Sequence, residues 1–223
     1  MNFQSLSGRM TPAAVLIIFV TVANLAFDVV SFATLDGASE DALALFGTAG
    51  LLMLVGQVVA AVFFLRWLNR AAHNVRAFHP GGHFEFTTGW VVGWWFVPFA
   101  NLIKPLRATQ EIWRASDPEF VGSERSFLGA PVPSLMTTWW GAWIASGLLG
   151  NLSGRIEEPA PSAFIGAIAT CFTIVACVTV LKLMKELGER QQECWSKLHQ
   201  EPTLRRAMQH TAAADPGNFG AAP

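Results

Sequence analysis

Charged side chains are scarce in this chain of 223 residues. Asp, Glu, Lys and Arg make up 14% of it, whereas hydrophobic residues make up 52%. A soluble domain of this length carries about 25% charged residues. The deficit predicts a single small bundle of helices in a membrane. The net charge of −1 gives no basic field that would attract nucleic acid, so nucleic acid is not an expected partner.

Cysteines and catalytic motifs are scarce as well. Three cysteines are too few, and too poorly placed, for a disulfide framework. The chain has no Gly-rich phosphate loop, nucleophile elbow, zinc-protease His pair or Ser–Lys pair. His73, His79 and His83 are interrupted by Pro-Gly-Gly and have no cysteine nearby, so solvated histidines are favoured over a metal site. We therefore expect no enzyme activity, no metal and no cofactor.

Four apolar runs are long enough to cross a hydrocarbon core of about 30 Å as helices. They extend over residues 13–35, 42–68, 136–153 and 162–181. The first run is too long for the apolar part of a cleaved signal peptide, so a retained helix is favoured. We predict an all-α membrane protein with four transmembrane helices, in which 1–199 form the membrane domain and 200–223 a disordered cytoplasmic tail.

Cations are almost missing from one side of this arrangement. Of the 15 Lys and Arg residues, only Arg155 lies in a loop assigned to the outer side. The other fourteen lie on the opposite side. Because cytoplasmic segments are enriched in Lys and Arg, both termini are predicted to be cytoplasmic.

A fifth apolar stretch, GWVVGWWFVPFANLI, is too short to cross. It has fifteen residues, which as a helix rise only about 22 Å. A crossing here would also place the cations that follow it on the outer side. We predict a re-entrant or an interfacial element, two alternatives that the sequence leaves open. Trp94 and Trp95 would then lie at the headgroup boundary, and the whole interfacial segment would extend over 89–116.

Amphipathic helices are predicted on both sides of this stretch. The second span continues as RWLNRAAHNVRAF and ends at His79-Pro80-Gly81-Gly82. A further helix over 101–116, which Asn101 is expected to cap, carries one charged face: Lys104, Arg107, Glu111 and Arg114. This face is either a solvated helix surface or a surface that binds lipid headgroups or a partner.

RWLNRAAHNVRAF and GWVVGWWFVPFANLIKPLRATQEIWRAS together resemble the signature of an uncharacterised bacterial membrane family, the domain-of-unknown-function family numbered forty-three twenty-eight. The matching positions are Arg66, Trp67, Arg70, Ala71, Asn74, Gly89, Trp90, Trp94, Trp95, Pro98, Asn101, Leu102, Pro105, Glu111, Trp113 and Ser116. The resemblance implies several spans and the bacterial inner (cytoplasmic) membrane, and it implies no activity. The candidate functional residues among these positions are Arg66, Arg70, Asn74, Trp94, Trp95, Pro98, Asn101, Glu111 and Trp113.

Asp28 is a further candidate, because it is the only acidic residue well inside a predicted span. An intramembrane carboxylate serves either as an ion or proton site or as a structural group that faces the bundle. The structural alternative is favoured because there is no second buried acid. Thr48, Asn151 or Arg155 would then hold the carboxylate.

Asn24 and Gln57 can lie at similar depth on adjacent spans, where a hydrogen bond between the two helices is favoured over a substrate site. With so few reactive groups, we predict a non-enzymatic membrane scaffold or regulatory module. Its candidate partners are the lipid bilayer, a protein at the cytoplasmic face and further copies of the chain. The alternative is a small oligomeric channel or transporter that uses Asp28.

Overall fold

All of the regular secondary structure in the described residues is helical. The computed structural model describes residues 3–35, 37, 39–122 and 126–214, except for the side chains of 40–43 and 201–214. Within these ranges there is no strand, and the α-helices are α1 (Ser7–Ala33), α2 (Glu40–Phe78), α3 (Thr88–Gly93), α4 (Lys104–Ala115), α5 (Ser134–Ser153) and α6 (Pro159–Ala214). The predicted all-α class is confirmed.

Three helices in the described part of the chain are long and apolar enough to cross a membrane. They are Ser7–Ala33, Ala44–Phe78 and Pro159–Gln200, which overlap three of the four predicted spans. The remaining predicted span, 136–153, corresponds to α5, which has 20 residues but is not among them. Its sequence is rich in Trp, Gly, Ser and Thr, which lower the mean hydropathy.

The helices α2 and α6 are longer than a bilayer requires. The 39 residues of α2 rise about 58 Å, against a hydrocarbon core of about 30 Å. Its extension ends at Phe78, before Pro80 and two glycines, as predicted. Gly81 adopts φ 78°, a conformation that favours glycine. The helix α6 continues through 200–214, where a disordered tail was expected, and 215–223 lie outside the described residues.

The four long helices pack in the order α2, α1, α6, α5, and α2 scarcely touches α5. We call the end that holds the α1–α2 and α5–α6 turns the open end, and the opposite end the packed end. The fully buried side chains concentrate at the packed end, where α4 lies against the extensions of α2 and α6: Leu68, Val75, Ile112, Met184 and Leu187. Towards the open end, large apolar side chains of α1 and α2 are exposed, as in Phe19 and Leu52.

Residues 88–103, which we call the Trp-rich element, fold as short pieces. The six-residue helix α3 is followed by 3₁₀ turns at Trp94–Phe96 and Ala100–Leu102. None of these pieces is long enough to cross a bilayer. The predicted capping role of Asn101 is wrong, because α4 follows Ile103 and has no side-chain cap.

Candidate functional site

A buried hydrogen-bond network joins α2, α4 and α6 at the packed end. Asn74 donates to Gln191 Oε1 at 2.8 Å, and Gln191 Nε2 donates to Ser116 Oγ at 3.0 Å and to the Ala71 carbonyl at 3.2 Å. Ser116 donates its own proton to the Ile112 carbonyl at 2.8 Å. Asn74 is 1% exposed and both Gln191 and Ser116 are 0% exposed. Buried amides require such partners, and here they have them from the protein itself.

The first residues of the chain belong to the same network. The Gln4 backbone N–H donates to Asn74 Oδ1 at 3.2 Å, and the Gln4 carbonyl accepts from Asn74 Nδ2 at 2.9 Å. Phe3 stacks on Trp195 at 4.9 Å between ring centroids. Asn74 was a sequence candidate, whereas Gln4 and Gln191 were missed. The available signal for Gln191 was its position between Leu187 and Cys194 on an otherwise apolar stripe of α6.

Charged residues tie the end of α4 to α6. Arg190 pairs with Asp117 at 2.9 Å, and its guanidinium lies 4.8 Å from the ring centroid of Trp113. Lys197 donates to the Pro118 carbonyl at 2.8 Å. Trp113, a candidate from the sequence, is buried and provides the surface on which Arg190 rests. The cation and the ring attract each other electrostatically.

Glu111 is buried and does not lie on a solvated face, since it is only 5% exposed. Its carboxylate accepts the backbone N–H of Glu85 at 2.5 Å and that of Phe86 at 3.3 Å. Burial raises the pKa of Glu111, and these two hydrogen bonds oppose the rise. Arg107 is exposed, and Arg114 donates to a different group, the Ala130 carbonyl at 3.2 Å. The charged residues of α4 therefore do not form one solvated face. Glu111 points inward and binds the loop before α3.

His79 is half-buried, so the prediction of solvated histidines is wrong at this position. Its Nε2 lies 2.9 Å from the Ala115 carbonyl, which requires the proton on Nε2, and its ring packs against Phe127 at 4.9 Å. Burial lowers the pKa of His79. His83 is exposed, as predicted. No group of three metal-binding side chains occurs among the residues that the structure describes.

Cys194 is the thiol nearest to the network, and it is fully buried. Its Sγ donates to the Ser116 carbonyl at 3.4 Å. Burial raises the pKa of this thiol to about 12. Because the thiolate is the reactive form, Cys194 acts here as a packing residue.

Trp95 lies at the centre of an aromatic cluster that fixes the Trp-rich element to α2 and α5. Its ring makes edge-to-face contacts with Phe64, Trp140 and Trp143, at centroid distances of 5.6, 5.5 and 5.5 Å. Trp140 Nε1 donates to the Leu102 carbonyl at 2.8 Å. The Nε1 of Trp95 is buried without a hydrogen-bond partner among the described residues, and neighbouring ring faces compensate for this only weakly.

The other side of the Trp-rich element is apolar and exposed. Phe99 is 86% exposed and Phe96 is 71% exposed, and Trp90, Leu102 and Ile103 are also exposed. Pro98, a sequence candidate, lies exposed beside Phe99. The backbone of Phe99 has φ 61°, a strained conformation for a bulky residue that costs about 1–3 kcal/mol. Large exposed apolar patches commonly mark sites of contact with a protein or a membrane.

The remaining candidates of the packed end lie on its surface. Trp94 is half-buried, packs at a tilt against Trp90 with 4.5 Å between ring centroids, and lies 5.7 Å from the Lys104 ammonium. Arg66 is exposed, and its carbonyl accepts from Arg9 at 3.1 Å. Burial and the charge of Arg9 lower the pKa of Arg70. Asn101 is half-buried in a 3₁₀ turn.

Asp28 lies towards the open end, far from the network, and faces α6. A Cβ atom placed on Gly166 would lie 3.6 Å from Asp28 Oδ1 and 3.3 Å from Ser153 Oγ. The Oδ2 of Asp28 is buried and has no hydrogen-bond partner in the described ranges. The predicted ties are not made: Thr48 and Asn151 donate to carbonyls of their own helices.

The predicted hydrogen bond between Asn24 and Gln57 is wrong. Asn24 Nδ2 donates to the Val20 carbonyl at 2.8 Å, within its own helix. Gln57 is exposed on α2 and makes no side-chain hydrogen bond to any residue that the structure describes.

The two stretches that resemble a known signature thus fold into one unit: the extension of α2, the Trp-rich element and α4. A family model described as a domain of unknown function (DUF4328) matches residues 30–188. The chain belongs to this family. The DUF4328 match includes Asn74 and Ser116 and ends just before Gln191. No curated protein and no solved structure matches the chain.

Proposed function

We propose that this DUF4328 chain is a multi-pass protein of the bacterial inner membrane, with α1, α2, α5 and α6 as four spans. Its packed end lies in the cytoplasm and serves as a non-enzymatic scaffold or regulatory platform. The Trp-rich element lies at the cytoplasmic membrane boundary, with Phe96 and Phe99 directed at lipid.

The packing of α5 supports its role as a span. Its 20 residues rise about 30 Å, the thickness of a hydrocarbon core. Ser153 and Ser162 exchange hydrogen bonds of 2.9 and 3.0 Å across the α5–α6 turn, and the two helices pack along each other. If the apolar part of α6 crosses the bilayer, α5 occupies the same layer beside it.

The distribution of charge supports the orientation. With four spans, fourteen of the 15 Lys and Arg residues lie on the side of the packed end, as expected for a cytoplasmic face. Only Arg155, in the α5–α6 turn, lies on the other side.

The network of Asn74, Gln191 and Ser116 is the observation that carries the platform function. Its side chains are buried and bonded to one another, so they fix the ends of α2 and α4 to α6, and none of the three is free to contact a substrate. Glu111 and Cys194 are likewise occupied in holding the structure. A rigid end with an exposed apolar and cationic rim fits binding better than catalysis.

The second candidate, a channel or transporter, is favoured by one observation. Asp28 Oδ2 is buried without a described partner, and an intramembrane carboxylate is commonly functional. Two findings weigh against it. Gly166 of α6 lies close to Asp28. A cavity between α1 and α2 near the open end is lined by apolar residues and Thr34 alone.

Labelling of single cysteines in intact cells tests the topology. We expect an impermeant maleimide to label variants Ser39→Cys and Glu157→Cys and to leave His83→Cys unlabelled, with the parent chain as the control for its native cysteines. A three-span protein in which α5 does not cross would leave position 157 on the same side as 83. Equal labelling at 83 and 157 would therefore contradict the four-span proposal.

Reconstitution tests the platform against the channel. Proteoliposomes that contain the parent chain should show no proton or monovalent cation flux above that of empty liposomes. A flux that scales with protein content would replace the platform proposal with the channel.

A further inference from the structure

A cavity of about 300 Å³ lies between α1, α2, α5 and α6, next to the aromatic cluster. Aromatic side chains bound it towards the packed end: Phe64, Trp95, Trp139 and Trp143. Its volume is within the range of small-molecule pockets, about 300–1,000 Å³. Protein interiors are close-packed, so an opening of this size among membrane helices offers room for a ligand.

Polar side chains from three helices line this cavity: Thr21 of α1, Gln57 of α2 and Thr173 of α6. Each hydroxyl donates within its own helix, Thr21 to the Ile17 carbonyl at 2.8 Å and Thr173 to the Ala169 carbonyl at 3.1 Å. Their oxygens are left as acceptors. Gln57 has no described partner, so its amide is free both to donate and to accept.

The depth of Gln57 restricts the chemistry of the occupant. Gln57 precedes Trp67, near the packed-end boundary, by ten positions, which is about 15 Å along α2, or half of a hydrocarbon core. A phospholipid presents only methylene groups at that depth. The unpaired amide therefore calls for a molecule that carries an oxygen into the middle of the bilayer. No Asp, Glu, Lys, Arg or His lines the cavity, which favours an uncharged molecule.

The packing order of the helices gives such a molecule a route from the bilayer. α2 and α5 scarcely touch, and an aromatic contact between Phe64 and Trp139, at 6.0 Å between centroids, joins them near the packed end. Beyond this contact, the side of the bundle between α2 and α5 is open to lipid.

We infer that this cavity binds a neutral, lipid-soluble molecule with a carbonyl or hydroxyl oxygen, which enters from the bilayer between α2 and α5. Quinones and long-chain isoprenoid alcohols share this chemistry. Gln57 donates to the oxygen, Thr21 and Thr173 accept from a hydroxyl, and the aromatic side chains pack against the apolar body. This inference rests on the four-span arrangement proposed above.

Quenching of tryptophan fluorescence tests the inference on the full chain in phosphatidylcholine nanodiscs. Decylubiquinone is the carbonyl probe, and geranylgeraniol is the hydroxyl probe, measured by competition against the quinone. We expect saturable quenching by decylubiquinone. Gln57→Leu should weaken the apparent affinity at least tenfold, while Val58→Leu, a matched change at an exposed neighbour outside the cavity, should leave it unchanged.

A second variant, Ala61→Phe, places a ring at the wall of the cavity and should abolish saturable quenching while the thermal midpoint is retained. Competition by geranylgeraniol supports the shared chemistry, and its failure to compete restricts the ligand to the quinone class. Quenching that does not saturate, or that is identical in the Gln57→Leu and Val58→Leu variants, would overturn the inference. If cysteine labelling in intact cells gives four spans, such a result counts against the cavity alone.

Discussion

Asn74 and Gln191 are 117 positions apart in the chain, yet a hydrogen bond of 2.8 Å joins their buried amides. Because α2 and α6 are both far longer than a bilayer, many relative offsets would bury similar apolar surface. The hydrogen bonds that link Asn74 and Gln191 to each other, and to Gln4 and Ser116, favour one of these offsets over the others. A misaligned pair would leave buried donors and acceptors unsatisfied, at about 1–3 kcal/mol for each group.

A double-mutant cycle tests the role of this pair. Gln191→Met and Asn74→Leu should each lower the free energy of unfolding by about 1–3 kcal/mol, because each leaves polar groups of its partner unsatisfied. The double variant should lose less than the sum, since neither amide then remains unpaired. Denaturation in detergent micelles gives the three values.

Gln192→Met is the matched control for this cycle. Gln192 is exposed on the same turn of α6, and its replacement should change stability by less than about 0.5 kcal/mol. Strictly additive losses for the Asn74 and Gln191 variants would mean that the two amides act independently.

His79 makes the stability of the packed end depend on pH. Burial lowers its folded-state pKa below the ordinary value of 6.5, so the unfolded chain binds the proton more readily. The contribution of His79 to stability is therefore full above pH 6.5. It decreases as the pH falls below 6.5 and is lost once the pH passes the lowered pKa of the folded state. His73, whose pKa is lowered by burial and by nearby arginines, acts in the same direction.

Thermal midpoints measured between pH 8 and pH 5.5 check this prediction. The midpoint of the parent chain should fall with the pH, and His79→Gln should reduce that fall. His83→Gln, at an exposed position, should retain it. Glu111 changes stability with pH in the opposite direction. Its pKa is raised from 4.5, so its protonation favours the folded state. An identical pH profile in the parent and the His79→Gln variant would count against the buried-histidine account.

Local sequence signals predicted the end of α2 and the absence of a span over residues 89–103. Pro80 and the two glycines after it set the end of α2, because they cannot continue a helix. The shortness of the apolar stretch and Pro98 within it predicted that 89–103 would not form a span. These features depend on a few neighbouring residues, so the sequence displays them directly.

Contacts between distant segments were not predictable in the same way. The charges of α4 recur at helical spacing, which favoured a solvated face for Glu111. Only the fold brings the backbone N–H groups of Glu85 and Phe86 to its carboxylate. Similarly, Asn24 satisfies its amide within α1, an alternative that hydrophobic periodicity does not distinguish from a bond to Gln57.

Phe99 should lie in the hydrocarbon region, close to the headgroups. It is the most exposed large apolar side chain of the Trp-rich element, and transferring apolar surface out of water gains about 25 cal/mol per Å². A spin label at Phe99→Cys, in liposomes, should therefore collide more with oxygen than with a water-soluble nickel complex. The label at His83→Cys, on an exposed polar loop, should show the reverse. Preferential nickel access at position 99 would place the element in water.

Asp28 of α1 and Gly166 of α6 lie close together where the two helices pack. The carboxylate of Asp28 faces Gly166, and its Oδ2 is buried without a described partner. A neutral amide is less costly to bury than a carboxylate, so Asp28→Asn should fold and should gain stability on the order of 1 kcal/mol. Gly166→Leu, in contrast, should force α1 away from α6 and cost about 1–3 kcal/mol. Thermal unfolding of both variants in the same micelles measures these shifts, with Gly147→Leu, at an exposed glycine with open space around it, as the control for added bulk. A loss of stability in Asp28→Asn would show that the charge itself has a partner in the membrane. A folded Asn variant that loses a cation flux present in the parent would instead make the channel the function of this chain.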